Sequence, residues 1–194
     1  MRSRLPLLAL SLCLFVSGCG YNRIQSLDER TEELKSNIGV QLTARNQLIP
    51  NLVATVQGAA DFERGTFTEV ARARAGLESA QSQVDEAVET GDVERISAAD
   101  AAMTREIGTF INVAVEAYPQ LNATQSFQAL QDQLAESENR IAVARQDYNQ
   151  GVREYNTYVR QFPQALTARV IGASRKEPYQ APAGSEATPE VRFD

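Results

Sequence analysis

The sequence predicts an all-α protein: an antiparallel up-down-up-down four-helix bundle with long first and last helices, a short C-terminal helix and a disordered tail. Three observations carry that expectation. Apolar residues recur at spacings of three and four from about residue 24 to residue 162, the period of a helix with one buried face. The interruptions between periodic stretches are about two to six residues long, which forces consecutive helices to run antiparallel. Alternating apolar and polar residues, the mark of a half-buried strand, are absent. With 194 residues, 43% apolar and 23% charged, the chain can bury one core and is not wholly disordered.

The first helix is predicted from Ile24, Leu27, Leu34, Ile38, Leu42, Ile49, Leu52, Val56 and Ala60. Pro50 falls inside this pattern. It lacks a backbone donor and would clash with the carbonyl of Asn46, at about 3 kcal/mol in a helix interior, so a kink is expected there rather than an end. Gly65-Thr66 separates the second helix, where Thr66-Phe67-Thr68-Glu69 reads as a capping box. That helix carries Phe67, Val70, Leu77, Val84 and Val88. Gly91-Asp92 supplies a terminating glycine and then an N-cap. The third helix follows with Val93, Ile96, Met103, Ile107, Phe110 and Ala114, and Tyr118-Pro119 ends it.

The fourth helix, capped by Asn122, has the most regular stripe: Phe127, Leu130, Leu134, Ser137, Ile141, Ala144, Tyr148, Gly151, Tyr155, Tyr158 and Phe162. Phe162-Pro163 closes it. Helices one and four have about 40 residues, or about 60 Å each, and the middle pair about 36 Å each. The excess must fall at the end carrying both termini, so residues 24–39 and 147–162 should pair as an extension. Leu166, Val170 and Ile171 form a short amphipathic segment predicted to dock there as a third member. Gly58, Gly76, Gly108 and Gly151 lie inside the predicted helices and are expected to mark close helix approach, because each costs about 1 kcal/mol against Ala. From residue 173 to 194 the chain is rich in proline and poor in apolar residues, and is expected to be extended or disordered. Val191 and Phe193 are its candidates for docking in a groove.

The N-terminus is read as a targeting segment. Arg2 and Arg4 precede an apolar run from Leu5 to Val16, shorter than the about 20 residues of a spanning helix and of signal-peptide length. Val16-Ser17-Gly18-Cys19 then resembles a bacterial lipobox. This reading divides the chain into a lipoprotein signal peptide (1–18), a helical bundle domain (19–172) and the tail (173–194). Cys19 would be the lipid attachment, carrying fatty acyl chains such as palmitate, and two or more chains anchor stably. Gly20 follows it; the absence of Asp there favours the outer membrane, on the periplasmic side of the bacterial cell envelope.

Much chemistry is excluded by composition. There is no histidine, so His-ligated zinc and His-activated nucleophiles are ruled out. Cys13 leaves with the signal and Cys19 carries lipid, so no thiol remains. Loss of Arg2 and Arg4 leaves 17 basic against 25 acidic residues, a net charge of −8, which argues against nucleic acid as a partner. Carboxylate groups such as Glu32/Glu33, Asp85/Glu86/Glu89 and Glu136/Glu138 lack a histidine partner and read as solvated faces. No catalytic residue, metal site or cofactor is expected.

Three blocks resemble the LemA family. The first is Arg45-Asn46-Gln47-Leu48-Ile49-Pro50-Asn51-Leu52-Val53, with Val40 to Ala44 before it. The second is Glu116-Ala117-Tyr118-Pro119-Gln120-Leu121. The third comprises Arg140-Ile141-Ala142, Arg145 and the Tyr-Asn pairs at 148–149 and 155–156. The resemblance spans residues 21–194. It implies a membrane-attached antiparallel helical bundle outside the cytoplasm and no established enzyme activity. Members usually begin with a transmembrane helix, whereas this chain carries a lipobox.

The candidate partner contact is Arg45, Asn46, Pro50 and Asn51. Arg45 either bridges to a freed carbonyl or a partner's carboxylate, or pairs with an acid on a neighbouring helix. Tyr148, Tyr155, Tyr158 and Phe162 are core or a partner groove; Asn149 and Asn156 flank them in register-setting positions. The expected function is a non-enzymatic, membrane-anchored envelope lipoprotein acting as a helical scaffold or protein-interaction module. Its partners are the lipid bilayer, through acylated Cys19, and an envelope protein. The rival readings are an architectural protein of envelope shape and a carboxylate-based enzyme or metal protein.

Overall fold

The computed structural model describes residues 5–62 and 68–180, without the side chains of 5–19 and 60–62. The described residues are all-helical, with no strand. The helices are α1 (Leu5–Asn46), α2 (Ile49–Phe62), α3 (Thr68–Thr90), α4 (Val93–Ala117), α5 (Gln125–Tyr158) and α6 (Gln164–Ile171), with a 3-10 turn over Pro119–Ala123 between α4 and α5. Among them no helix is long and apolar enough to cross a membrane. The chain divides into two compact units.

The first unit holds, among the described residues, 5–37 and 145–178. Ile24 and Leu27 of α1 pack with Tyr155 of α5, Val159 and Ala168 of α6. The N-terminal part of α1 and the C-terminal part of α5 thus pair, with a short helix as third member, as the length argument predicts. The direction is antiparallel: Arg30 pairs with Glu154, while Gly151 faces Thr31 and Leu34. A Cβ at Gly151 would stand 2.7 Å from Leu34 Cδ1, so glycine here permits the approach.

One detail of the docking is reversed. Leu166, Val170 and Ile171 were the expected contacts of α6, yet all three are exposed, and Ala168 is the buried residue. A short helix can bury one face only, and here the small residue faces the close-packed α1/α5 pair. Phe162 departs in the same way: α5 ends at Tyr158, four residues before it, and its ring is 83% exposed while Val159 takes the core position.

The second unit holds, among the described residues, 38–62, 68–144 and 179–180. Pro50 divides the predicted first helix rather than kinking it. α1 stops at Asn46, the amide of Leu48 turns back to the Arg45 carbonyl (3.0 Å), and α2 starts at Ile49. Pro50 then lies in the first turn of α2, where its missing donor has no intrahelical acceptor to serve. Ile38, Leu42, Ile49, Leu52 and Val56 are buried on both sides of the break.

α3 and α4 form an antiparallel hairpin, shown by Glu86 meeting Arg95 and Gly76 lying against Glu106. Its turn follows the sequence: Gly91 has φ 67°, and Asp92 caps α4 by accepting from the amides of Glu94 and Arg95. Tyr118 ends α4 as expected. Asn122 is not the cap of α5; it falls within the 3-10 turn, and α5 begins after Thr124. Gly76 has the expected close neighbour, Glu106, but a Cβ at Gly58 or Gly108 would meet nothing within 4 Å, so close approach does not explain them. The capping box at residues 66–69 lies outside the described residues in its first half.

Candidate functional site: a buried polar node

The end of α1 places Arg45 and Asn46 on consecutive positions, and both are buried. Arg45 is 1% exposed and holds three groups. Its guanidinium lies 2.9 Å from Asp100 of α4 and 2.9 Å from Glu138 of α5, and it donates to Thr104 Oγ1 at 3.2 Å. Asn46 points toward α3, donating from Nδ2 to Asp85 Oδ1 at 2.9 Å and to the Gln81 carbonyl at 3.4 Å. Gln81 Nε2 donates back to the Asn46 carbonyl at 3.5 Å. Two adjacent residues therefore bond to three other helices.

Asp100 is the other centre of this node. At 1% exposure its carboxylate would be costly without partners. It receives Arg45 on one oxygen and the hydroxyl of Tyr179 on the other. Tyr179 is itself buried, and next to it Ser97 Oγ donates to the Gln180 carbonyl at 3.0 Å. The described part of the tail, residues 173–180, is non-helical and fixed by specific bonds. Val191 and Phe193, the expected tail anchors, lie outside the described residues.

The other candidate residues stand differently. Pro50 and Asn51 are exposed, and the Asn51 carbonyl accepts from Thr55 Oγ1 at 2.8 Å. The backbone of Cys19 continues α1, and its side chain lies outside the described residues.

A second polar cluster, which sequence reasoning did not anticipate, holds the tail in the first unit. Lys176 Nζ lies 3.0 Å from Asp28 and 2.7 Å from Glu32 on α1, and 5.5 Å from the centre of the Tyr155 ring. Asn156 bonds the backbone of Lys176 twice, Nδ2 to its carbonyl at 2.8 Å and Oδ1 from its amide at 2.9 Å. Tyr148 OH donates to the Glu177 carbonyl at 3.0 Å. Asn156 thus fixes the tail rather than helix register. Tyr148 and Tyr155 are buried and Tyr158 is partly buried, so the aromatic stripe serves the core as far as its last member.

The charges shift accordingly. Hydrogen bonds from Lys176 and then Lys35 hold the Glu32 carboxyl below its usual range, against a smaller opposing effect of burial. For Lys176, burial favours loss of the proton, but the bonds to Glu32 and Asp28 together outweigh it and raise the ammonium pKa. Burial raises the phenol pKa values of Tyr148 and Tyr155. These shifts mark a structural clamp, because the ionised groups are mutually satisfied. Among the described residues no group of three or more His, Cys, Asp or Glu side chains is arranged to hold a metal ion.

The geometry defines an all-helical protein whose buried polar groups tie helices and tail together. The LemA family model matches residues 34–193, and the chain belongs to the LemA family. It is similar to magnetosome proteins MamQ 2 and MamQ 1 of Paramagnetospirillum magneticum, each 27% identical over 181 residues, covering 84% of this chain. The chain spans 66% of the length of each of these relatives, just under two thirds. It is also similar to magnetosome protein MamQ of Magnetospirillum gryphiswaldense, 23% identical over 208 residues, covering 96% of this chain and 76% of that protein.

Proposed function

We propose that this chain is a lipid-anchored envelope protein that acts as a non-enzymatic helical scaffold. Residues 1–18 are a lipoprotein signal, acylated Cys19 is the anchor, and the mature helices pack as an antiparallel four-helix bundle on the periplasmic side of the outer membrane. An envelope protein docks on the exposed turn at Pro50 and Asn51. Arg45 and Asn46 hold that turn from below.

One observation carries this reading. The most chemically capable residues, Arg45 and Asp100, are each 1% exposed and bonded to their own chain, so they rigidify the surface instead of presenting a reactive group. The relatives are named as magnetosome proteins, which is compatible with a membrane-associated location for this chain. The MamQ name itself says nothing of what this chain binds.

Two measurements test the reading. Mass spectrometry of the N-terminal peptide from membrane fractions should find it starting at Cys19 and acylated; an unmodified peptide that begins at Met1 overturns the anchor. A photo-crosslinker attached at Asn51→Cys should trap a discrete protein in cells, and the same probe at Val143→Cys should not. Equal, diffuse labelling from both sites would favour a general architectural role in envelope shape.

A further inference from the structure

α6 buries Ala168 against Ile24, Leu27, Tyr155 and Val159, yet its largest apolar side chains face out. Phe162, Leu166 and Val170 are 83%, 59% and 86% exposed. Leu166 and Val170, four residues apart within α6, stand one turn apart on one face, opposite to Ala168, and Phe162 lies in the turn just before the helix. Exposed apolar side chains grouped in this way mark an interaction surface more often than isolated ones do.

Two further observations say what covers this face. α6 lies against the residue that follows Cys19: a Cβ at Gly20 would stand 3.3 Å from Gln164 Cγ and 3.8 Å from Thr167 Oγ1. The local charge is also opposite to that of the chain. Residues 152–177 carry Arg153, Arg160, Arg169, Arg175 and Lys176 against Glu154 and Glu177, a net +3, whereas the whole chain is −6. Lys176 is paired with Asp28 and Glu32, which leaves the four arginines as the local cationic groups. Arg153, Arg160 and Arg175 line one open cleft of about 570 Å³ together with Lys176 and one acid, Glu177. Arg169 stands on α6 beside Val170, and Arg160 and Arg175 lie in the segments that flank this helix in sequence. Exposed apolar side chains accompanied by arginines suit a helix lying in a membrane interface, with acyl chains on one side and headgroup phosphates at the arginines.

We infer that α6 lies on the bilayer surface, with Phe162, Leu166 and Val170 in the acyl boundary and Arg160, Arg169 and Arg175 at the phosphates. This rests on the membrane-anchored reading but goes beyond it. Lipid at Cys19 alone would leave the protein free to swing on its tether, whereas a second contact through α6 fixes the orientation of the first unit.

The full chain with Cys13→Ser and Cys19→Ser has no native thiol. A polarity-sensitive dye is placed in it at Leu166→Cys, Val170→Cys or Val143→Cys, the last exposed on α5. Each protein is reconstituted into phosphatidylethanolamine–phosphatidylglycerol vesicles. At positions 166 and 170 the emission should shift to the blue, be quenched by doxyl-labelled lipid and be quenched several-fold less by iodide than at 143. Equal iodide quenching at all three sites overturns the inference, as does failure of the protein to float with the vesicles. Protection from iodide without lipid quenching overturns it too, and indicates a second copy on this face. Acylation is scored separately on the wild-type N-terminal peptide, so an unmodified Cys19 alongside lipid-quenched probes sinks the anchor and leaves the α6 contact standing.

Discussion

Arg45 and Asp100 are a buried ion pair whose value lies in specificity more than in net stability. Removing one partner leaves the other charge buried and unmatched, at about 3–5 kcal/mol. Arg45→Met and Asp100→Leu should therefore each lower the denaturation midpoint sharply. The double variant should lose clearly less than the sum of the two, because no orphaned charge remains between those positions. Urea titrations of the three variants give the coupling directly. Tyr179→Phe tests the other side of Asp100: loss of a hydrogen bond to a buried carboxylate should cost about 1.5–3 kcal/mol. Arg45 was legible in the sequence as a residue of interest, beside a proline in a helical pattern. Its partners were not legible. Asp100 and Glu138 lie 55 and 93 residues away, and the chain holds 25 acidic residues among which spacing does not choose.

At the scale of elements, the helical glycines separate by environment. Gly58→Ala, on α2 with open space around the new Cβ, should stabilise by up to about 1 kcal/mol through helix propensity. Gly151→Ala should destabilise by about 1–3 kcal/mol, since the added methyl overlaps Leu34 in a packed contact. Thermal unfolding of the pair distinguishes them. The Lys176 clamp gives a pH profile. Glu32 has a lowered folded pKa, so its contribution is present above about pH 4.5 and is lost as pH falls through the folded value. Lys176 has a raised folded pKa, so its contribution is present below about pH 10.5 and is lost as pH rises through the folded value. Tail docking, followed by amide exchange at Lys176, should thus be firmest between those limits, and Lys176→Met should flatten the profile. Helix periodicity foretold the ends of α4 and the pairing of α1 with α5. It did not foretell which face of α6 would be buried, because Leu166 and Ala168 are both apolar and a hydrophobicity pattern favours the larger side chain.

For the molecule as a whole, the tail binds in both compact units, with Lys176 in the first and Tyr179 in the second. A stop codon after Gly172 would strip the clamp from Asp28 and Glu32 and expose one oxygen of Asp100. Amide exchange of this truncated chain should accelerate both around residues 28–32 and around residue 100. Faster exchange in only one region would assign the tail a local role.

The sequence by itself determined the all-helical class, the stripes that form the cores, the turn at Gly91-Asp92 and the LemA membership. Each depends on local periodicity, backbone stereochemistry or short motifs. Tertiary structure alone decided that Arg45 and Asp100 neutralise one another, that Tyr179 and Lys176 fix a tail expected to be loose, and that Phe162, Leu166 and Val170 remain outside. Those outcomes turn on which distant groups share a low-dielectric space and which of two apolar faces fits the gap. Such choices are settled by shape and burial across many residues, beyond the reach of any pattern within one turn of helix.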